Sequence, residues 1–172
     1  MLHVAEAAGV EQRIVAAVVA VNDDRKAGNA ERVRAALGGE LAGKRIGVLG
    51  LTFKPNTDDM RDAPSIPLIQ GLLAGGATVV AFDPVGHDWA RPLLPGIEFA
   101  PDADAVADGA DALVVVTEWD EFRGIDLGEM AARMRGNVLV DLRNVYDPTD
   151  AARAGLAYRG VGRGTYLPLP TP

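Results

Sequence analysis

Apolar residues follow a helical spacing at the start of the chain and occur in short strand-like runs afterwards. Residues 1–37 are rich in Ala, contain Glu, Arg and Lys throughout and have no proline, a composition that favours helix. Gly9 is expected to separate a short helix over residues 2–8 from a long helix over residues 11–37. The apolar positions in the first half of the long helix are Ile14, Val15, Val18, Val19 and Val21.

The long helix has two interpretations. It either covers the core of its own domain, or it packs against another domain or a second copy of the chain. At 1.5 Å per residue it would be about 40 Å long, so part of it would protrude unless something packs on Val15, Val18 and Val19. Gly38 and Gly39 are expected to end it, because glycine readily adopts the left-handed conformation at a helix C-terminus.

From residue 39 onward, β-branched runs alternate with helical segments. Strands are predicted over residues 44–49, 77–82, 112–116, 137–141 and 156–158, the last as an edge strand. Helices are predicted over residues 66–74, 102–109, 127–134 and 149–154, with a turn or short helix over residues 87–94. This alternation predicts an α/β fold with a doubly wound parallel sheet preceded by a long helix. The tail from Gly162 lacks a core pattern and is expected to be extended or disordered.

Composition and charge exclude several classes of function. The chain has 172 residues, 48% hydrophobic and 24% charged, which is typical of a globular domain. Its net charge of −7 makes nucleic acid and anionic membranes poor partners, so we expect neither. Cysteine is absent, and His3 and His87 lie far apart, so we expect no disulfide and no metal site. Without an apolar run of about 18 residues or a signal-peptide pattern, a soluble cytoplasmic protein is expected.

The segment between the first strand and the following helix, residues 50–64, is the first candidate for a binding site. Loops of this kind usually have about 2–6 residues, and longer ones are commonly functional. Ligands of open parallel sheets bind at the carboxyl ends of the strands, where this loop begins. A dinucleotide fingerprint would need three glycines here, but only Gly47 and Gly50 are present, and Gly47 lies inside the strand. Binding of NAD in the usual way by this domain is therefore disfavoured.

The same loop has the chemistry of an anion site. Lys54 offers a point charge, and Arg61 offers a planar fork of donors. The helix that begins near Pro64 directs its N-terminus towards the same edge of the sheet. The alternative is a solvated turn with internal salt bridges, in which the carboxylates hold the cations. Those carboxylates are Asp58, Asp59 and Asp62.

Other side chains at the expected strand ends are weaker candidates for ligand contacts. Arg143 is a candidate contact for a carboxylate or phosphate, with a structural salt bridge as the alternative. Asp83 is interpreted as a turn cap rather than a ribose ligand, and Trp119 as a packing residue rather than a stacking platform. Ser65 is the only serine and lacks the surroundings of a nucleophile, so no catalytic residue is expected in this chain.

The sequence as a whole resembles a known family. The run GKRIGVLGLTFKPNTDDMRDAPSIPLIQGLLAGGATVVAFDP closely resembles the start of the C-terminal domain of the UDP-glucose/GDP-mannose dehydrogenase family. The stretches IVAAVVAVNDDRK, ADALVVVTEWDEFRGID and VLVDLRNVYDP resemble it as well, so the likeness covers roughly residues 1–163. It implies a Rossmann-like domain of an NAD-dependent enzyme that oxidises the C6 alcohol of a UDP-sugar, preferably UDP-glucose, to a carboxylate in two hydride transfers.

The resemblance also implies a division of labour. In that family an N-terminal domain binds NAD and supplies a catalytic cysteine, a long central helix builds the dimer, and the C-terminal domain closes over the nucleotide sugar. We therefore expect residues 1–38 to be a dimerisation helix region, residues 39–163 a UDP-sugar-binding domain and residues 164–172 a tail. The chain alone is expected to be inactive. The alternatives are a stand-alone nucleotide-sugar-binding or regulatory module, and a dimerisation module.

Individual residues follow from the resemblance. Phe53 and Lys54 match family residues that contact the UDP-sugar. Arg61 matches an arginine that reaches the NAD of the cofactor domain. The pair Arg143 and Asn144 falls where the family has a substrate-contacting arginine, and either of the two could hold that position.

Overall fold

The computed structural model describes Gly9 and residues 11–169, so the predicted helix over residues 2–8 lies outside the described residues. The first helix described, α1, spans Arg13–Ala36, close to the predicted range. It ends where predicted, because Gly38 and Gly39 have φ angles of 81° and 101°. Their amides donate to the carbonyls of Ala35 and Arg34 at 3.2 and 2.9 Å, which satisfies the last turn of the helix.

A seven-stranded sheet follows, in the order β3-β2-β1-β4-β5-β6-β7. All neighbouring strands are parallel except β6 and β7, which are antiparallel. The strand order reverses between β1 and β4, and this is the point at which ligands bind in doubly wound sheets. The strands are β1 Arg45–Leu49, β2 Thr78–Phe82, β3 Glu98–Phe99, β4 Ala112–Val115, β5 Val138–Asp141, β6 Ala157–Gly160 and β7 Thr165–Tyr166.

Short helices connect the strands and cover the sheet. Aspartates accept hydrogen bonds from backbone amides at the N-termini of α4, α6 and α7, which fixes where these helices begin. The predicted α/β class with a Rossmann-like doubly wound sheet is confirmed. The helices after α1 are α2 Ser65–Ala74, α3 His87–Ala90, α4 Ala103–Ala107, α5 Asp120–Arg123, α6 Leu127–Arg133 and α7 Pro148–Arg153.

The core consists of two hydrophobic layers, one on each face of the sheet. Strand β4 shows the division, since Ala112 and Val114 belong to one layer while Leu113 and Val115 belong to the other. Alternate residues of a strand point to opposite faces, and both faces are apolar here because both are covered. One layer contains residues of α1 and α2, and the other contains residues of α4, α5, α6 and α7.

Two strands were not predicted from the sequence. Strand β3 has only two residues, and β7 adds an antiparallel pair to β6, so β6 is not the edge strand that was predicted. The rings of Tyr158 and Tyr166 meet edge to face across this pair, with centroids 6.2 Å apart. A two-residue strand has no alternation of its own, so only the pairing partner defines it.

The two halves of α1 have different surroundings. Its C-terminal half packs on α2, where Val33 is fully buried and Gly71 lets the backbone approach Ala30. Its N-terminal half is exposed, and the side chains of Ile14 and Val18 are 82% and 54% accessible. The core-covering interpretation therefore applies to the C-terminal half only.

Among the residues described, no helix combines the length and the apolar character that a membrane span requires.

Candidate functional site

The loop of residues 50–64 leaves the carboxyl end of β1 through Gly50. This glycine has a φ of 89°, and a Cβ placed on it would lie 2.5 Å from the Cβ of Thr117. Its amide donates to the carbonyl of Phe82 at 2.8 Å. Only glycine fits at this point, because the loop turns away from the sheet while passing against the end of β4.

A buried carboxylate organises the first residues of the loop. Asp83, at the end of β2, is 1% exposed. Its Oδ2 accepts hydrogen bonds from the amides of Leu51 and Thr52 at 2.7 and 3.1 Å and from the Thr52 hydroxyl at 3.1 Å. The Trp119 indole N–H donates to the same oxygen at 3.1 Å. Oδ1 accepts two further amides in its own turn, so the turn-cap interpretation of Asp83 holds and extends to the neighbouring loop.

Two hydroxyl groups complete this arrangement. The Ser65 hydroxyl donates to the carbonyl of Leu51, and the Thr117 hydroxyl donates to the carbonyl of Thr52 at 2.7 Å. The amide of Phe53 donates to the carbonyl of Asp59 at 2.8 Å. The only serine therefore has a structural role. The amides of residues 51–53 and the carbonyls of residues 51 and 52 are thus bonded within the protein, while the residues Phe53 and Lys54 are exposed.

Phe53 and Lys54 face a groove of about 700 Å³ between this loop and α1. The Phe53 side chain is 44% exposed. Lys54 is exposed and takes part in no ion pair among the described residues. Arg143, from the loop after β5, lines the same groove. The structure thus brings together three side chains that sequence analysis proposed from separate segments.

The opposite wall of the groove was missed by sequence analysis. It consists of polar residues on α1, and the signal was available in their helical spacing of three and four residues. These residues are Asn22, Arg25, Lys26, Asn29 and Arg32.

Arg143 is both a groove residue and a partner in a salt bridge. Its Nε lies 2.9 Å from a carboxylate oxygen of Glu118 and donates to the carbonyl of Val116 at 2.9 Å. Buried Asp141 accepts the amides of Arg143 and Tyr146 at 3.1 and 3.0 Å, which shapes the turn. The Arg143 side chain remains 35% exposed, so its position is set from behind while part of the guanidinium faces the groove.

Asn144 has a different place. It adopts a left-handed φ of 55°, and its side-chain amide donates to the carbonyl of Val161 at 3.1 Å. Tyr158 lies behind it and donates towards its oxygen at 3.5 Å. Of the two residues that sequence analysis left open, only Arg143 lines the groove.

Arg61 lies apart from this groove. Its Nε and Nη2 donate to the two carboxylate oxygens of Asp59 at 2.9 and 2.7 Å. The Arg61 guanidinium, and after it the Arg61 backbone amide, lowers the pKa of Asp59 to about 2, with a smaller contribution from Lys54. The Arg61 side chain is 90% exposed and borders a second cavity of about 610 Å³, together with Trp89 and Leu93. The internal salt-bridge interpretation is thus correct for Asp59 and Arg61, but not for Lys54.

The turn after β1 does not fit a dinucleotide bound in the usual Rossmann manner. A Cβ on Gly47 would lie 2.6 Å from Leu113 and 2.7 Å from Val106, so this glycine serves packing between the sheet and α4. The acid at the end of β2, Asp83, has its oxygens occupied by the loop and its own turn. The turn after β1 is therefore built to hold its own loop rather than a pyrophosphate.

The fold and this groove define a Rossmann-like domain with a candidate anion site at the switch point of the sheet. Residues 47–148 match the model of the UDP binding domain of the UDP-glucose/GDP-mannose dehydrogenase family. The chain belongs to that family.

Named relatives of the chain support its assignment to the family. The chain is 48% identical over 151 residues to a UDP-glucose 6-dehydrogenase of Rhizobium meliloti, which covers 88% of this chain and 35% of the relative. It is 37% identical over 169 residues to a UDP-glucose 6-dehydrogenase of Pseudomonas aeruginosa, covering 95% of this chain and 37% of the relative. A UDP-glucose dehydrogenase structure from Pyrobaculum islandicum superimposes with a TM-score of 0.76 at 33% identity, covering 92% of this chain and 34% of that one. The chain spans about a third of the length of these relatives.

Proposed function

We propose that this chain is the UDP-sugar-binding portion of an NAD-dependent UDP-glucose 6-dehydrogenase, which oxidises UDP-glucose to UDP-glucuronate in two hydride transfers. The observation that carries the proposal is Lys54, without an ion pair among the described residues, at the carboxyl end of β1 in the groove that Arg143 also lines. The names of the relatives support the choice of UDP-glucose.

Each groove residue has a role that suits its chemistry. The Lys54 ammonium is a compact charge that binds a phosphate oxygen or a sugar hydroxyl. Arg143, positioned by Glu118, offers its remaining N–H groups to the nucleotide. Phe53 presents an apolar ring at the edge of the ligand. Asn144 is proposed to hold the turn that carries Arg143 rather than to contact the ligand.

Arg61 is proposed to contact NAD that a separate domain holds. Asp59 occupies its Nε and Nη2, while Nη1 makes no hydrogen bond among the described residues and belongs to a side chain that is 90% exposed, so it can bind one phosphate oxygen. NAD supplies the hydride acceptor for both oxidation steps. Because the turn after β1 does not fit a dinucleotide, we expect this chain to form no NADH from UDP-glucose by itself, as measured at 340 nm. Clear turnover would contradict this part of the proposal.

The exposed half of α1 is proposed to form a homodimer interface. Residues 1–38 would then be the dimerisation region and residues 39–163 the UDP-sugar domain, to which β7, in the segment predicted as a tail from residue 164, adds a strand. Ile14, Val18 and Val21 are at least half exposed, and burying such side chains stabilises an association. Val18→Asp should convert a dimer to a monomer in light scattering, while Asp23→Asn should leave the mass unchanged. An unchanged mass for Val18→Asp would exclude this interface.

Calorimetric titration of the chain tests the binding role. UDP-glucose should bind more tightly than GDP-mannose, and Lys54→Ala should weaken binding by roughly tenfold or more, because a charge-assisted contact is lost. Lys44→Ala removes the same charge just before the amino end of β1 and serves as the control. Equal affinities for Lys54→Ala and the wild-type chain would refute the assignment. Sub-micromolar affinity for UDP-glucose would favour a stand-alone binding module.

A further inference from the structure

The α1 wall of the groove is one continuous stripe of polar residues. Positions 22, 25, 26, 29 and 32 recur at intervals of three or four, which places them on one face of a helix. Three of them are the cations Arg25, Lys26 and Arg32, and two are asparagines. The stripe lies on the same helix as the exposed apolar residues of its N-terminal half, but it faces the groove.

These cations differ from most other arginines of the chain in their partners. On the same helix Arg34 pairs with Glu31 at 2.6 Å, and near its start Arg13 pairs with Glu11 at 2.9 Å. Within the described part of the chain, no ion pair or side-chain hydrogen bond involves the three cations of the stripe. Asp23 stands three residues before Lys26, a spacing that permits a helical ion pair, and yet the two are not paired.

The charge of the groove is therefore strongly one-sided. Its lining has five cations and a single carboxylate, Asp62, although the chain as a whole has 24 acidic and 17 basic residues. Only Arg143 among the five has an ion-pair partner within residues 11–169. Clustered like charges repel each other, and a bound anion with more than one negative charge offsets that repulsion by attracting several of the cations.

We infer that α1 supplies the second wall of a diphosphate site, in which Arg25, Lys26 and Arg32 bind the phosphates of a nucleoside diphosphate from the side opposite Lys54. This rests on the proposed function and extends it, since it assigns the diphosphate, rather than the sugar, as the part of the ligand that this chain recognises by itself. Asn22 and Asn29 offer neutral donors and acceptors between the cations.

The inference is tested on the whole chain by calorimetry with UDP, UMP, uridine and inorganic pyrophosphate. Arg25→Gln and Arg32→Gln should each weaken the binding of UDP and pyrophosphate about fivefold or more, and the double variant should weaken it further. Binding of UMP should change less, and the affinity for UDP should fall as salt is raised. Arg13→Gln, which removes one charge from the same helix outside the groove, is the control. Arg25→Lys should restore most of the affinity for pyrophosphate.

The outcomes show whether the α1 site fails alone or together with the proposed function. If Lys54→Ala abolishes UDP binding while the two α1 variants bind like the wild-type chain, the α1 site is refuted and the UDP-sugar role stands. If Arg13→Gln weakens binding as much as Arg25→Gln, the effect is one of net charge, and the α1 site is again refuted. If the wild-type chain binds neither UDP nor pyrophosphate, both proposals fail. Unchanged thermal unfolding of the variants shows that a loss of binding does not come from a loss of fold.

Discussion

Residues 50–54 and residues 55–64 belong to one loop, but different chemistry holds the two parts in place. The first part is attached to the core through the buried carboxylate of Asp83 and two buried hydroxyl groups. The second part is anchored by the buried side chains of Met60 and Ala63, while at the surface Asp59 pairs with the exposed Arg61. Lys54 lies at the junction, directly after these hydrogen-bonded residues, and has no carboxylate partner of its own in the described chain.

The groups that position Lys54 therefore differ in kind from the group that holds Arg61. Buried hydrogen bonds to a carboxylate are costly to break, because each orphaned donor stays away from water. An exposed ion pair contributes little to stability, since water and salt screen it. A side chain such as Lys54 is thus placed by groups that never touch a ligand, whereas Arg61 is restrained by a pair that can open.

Loss of the Asp83 carboxylate should have the largest effect. Asp83→Ala orphans the buried amides of Leu51 and Thr52 and the Trp119 indole, so we expect the free energy of unfolding to fall by about 3 kcal/mol or more. Urea denaturation measures this. Asp88→Ala, an exposed aspartate on α3, is the control and should change stability little. A loss below about 1 kcal/mol for Asp83→Ala would show that the first part of the loop is not held as described.

Next in size is the effect of a side chain at Gly50. Gly50→Ala combines a positive φ with a collision against Thr117, so a loss of about 2–4 kcal/mol is expected. Gly96 is a matched control, because its φ of 88° nearly equals the 89° of Gly50 while no atom lies within 4 Å of an added Cβ. Gly96→Ala should therefore cost only the conformational part, about 1–2 kcal/mol. Equal losses would mean that contact with Thr117 is unimportant.

Removing the charge of Lys54 should barely affect stability. Lys54→Ala deletes an exposed cation without an ion-pair partner among the described residues, so the free energy of unfolding should change by less than about 0.5 kcal/mol. The same variant should lose ligand affinity in the titration proposed above. A substantial loss of stability instead would show that the lysine is part of the structural framework.

The smallest effect concerns the pH dependence of the surface pair. Arg61 lowers the pKa of Asp59 to about 2 in the folded chain, below the value of about 3.9 for an unfolded aspartate. Asp59 therefore stabilises the fold at pH values above about 3.9, and this contribution is lost as the pH falls through the folded-state pKa of about 2. In Arg61→Gln, the NMR titration of the Asp59 carboxyl should move up towards 3.9, whereas Lys54→Gln should shift it much less. Equal shifts in the two variants would contradict the assignment of Arg61 as the main cause.

Much of the fold was predictable from local pattern. The alternation of apolar runs and helices predicted the doubly wound sheet, and Gly38 and Gly39 predicted the end of α1. The unusual length of the loop after β1 indicated a binding site, and the motif around Phe53 and Lys54 indicated which residues line it. The sheet and helix predictions depend on periodicity and backbone preference, which neighbouring residues determine along the chain. Phe53, in contrast, was assigned from the resemblance to the family, and Lys54 from its charge together with that resemblance.

The partners of the polar groups were decided only by the tertiary structure. Asp83 meets Leu51 and Trp119 because β1, β2 and β4 end at the same edge of the sheet, and the sequence offers no spacing from which to read this. Arg143 and Asn144 are neighbours in sequence, but the turn sends one to the groove and the other to Val161. The cations of α1 reach the groove because the C-terminal half of that helix packs on α2. The sequence determines each residue's type and local backbone preference, whereas the partner of its side chain lies on a segment that only folding brings close to it.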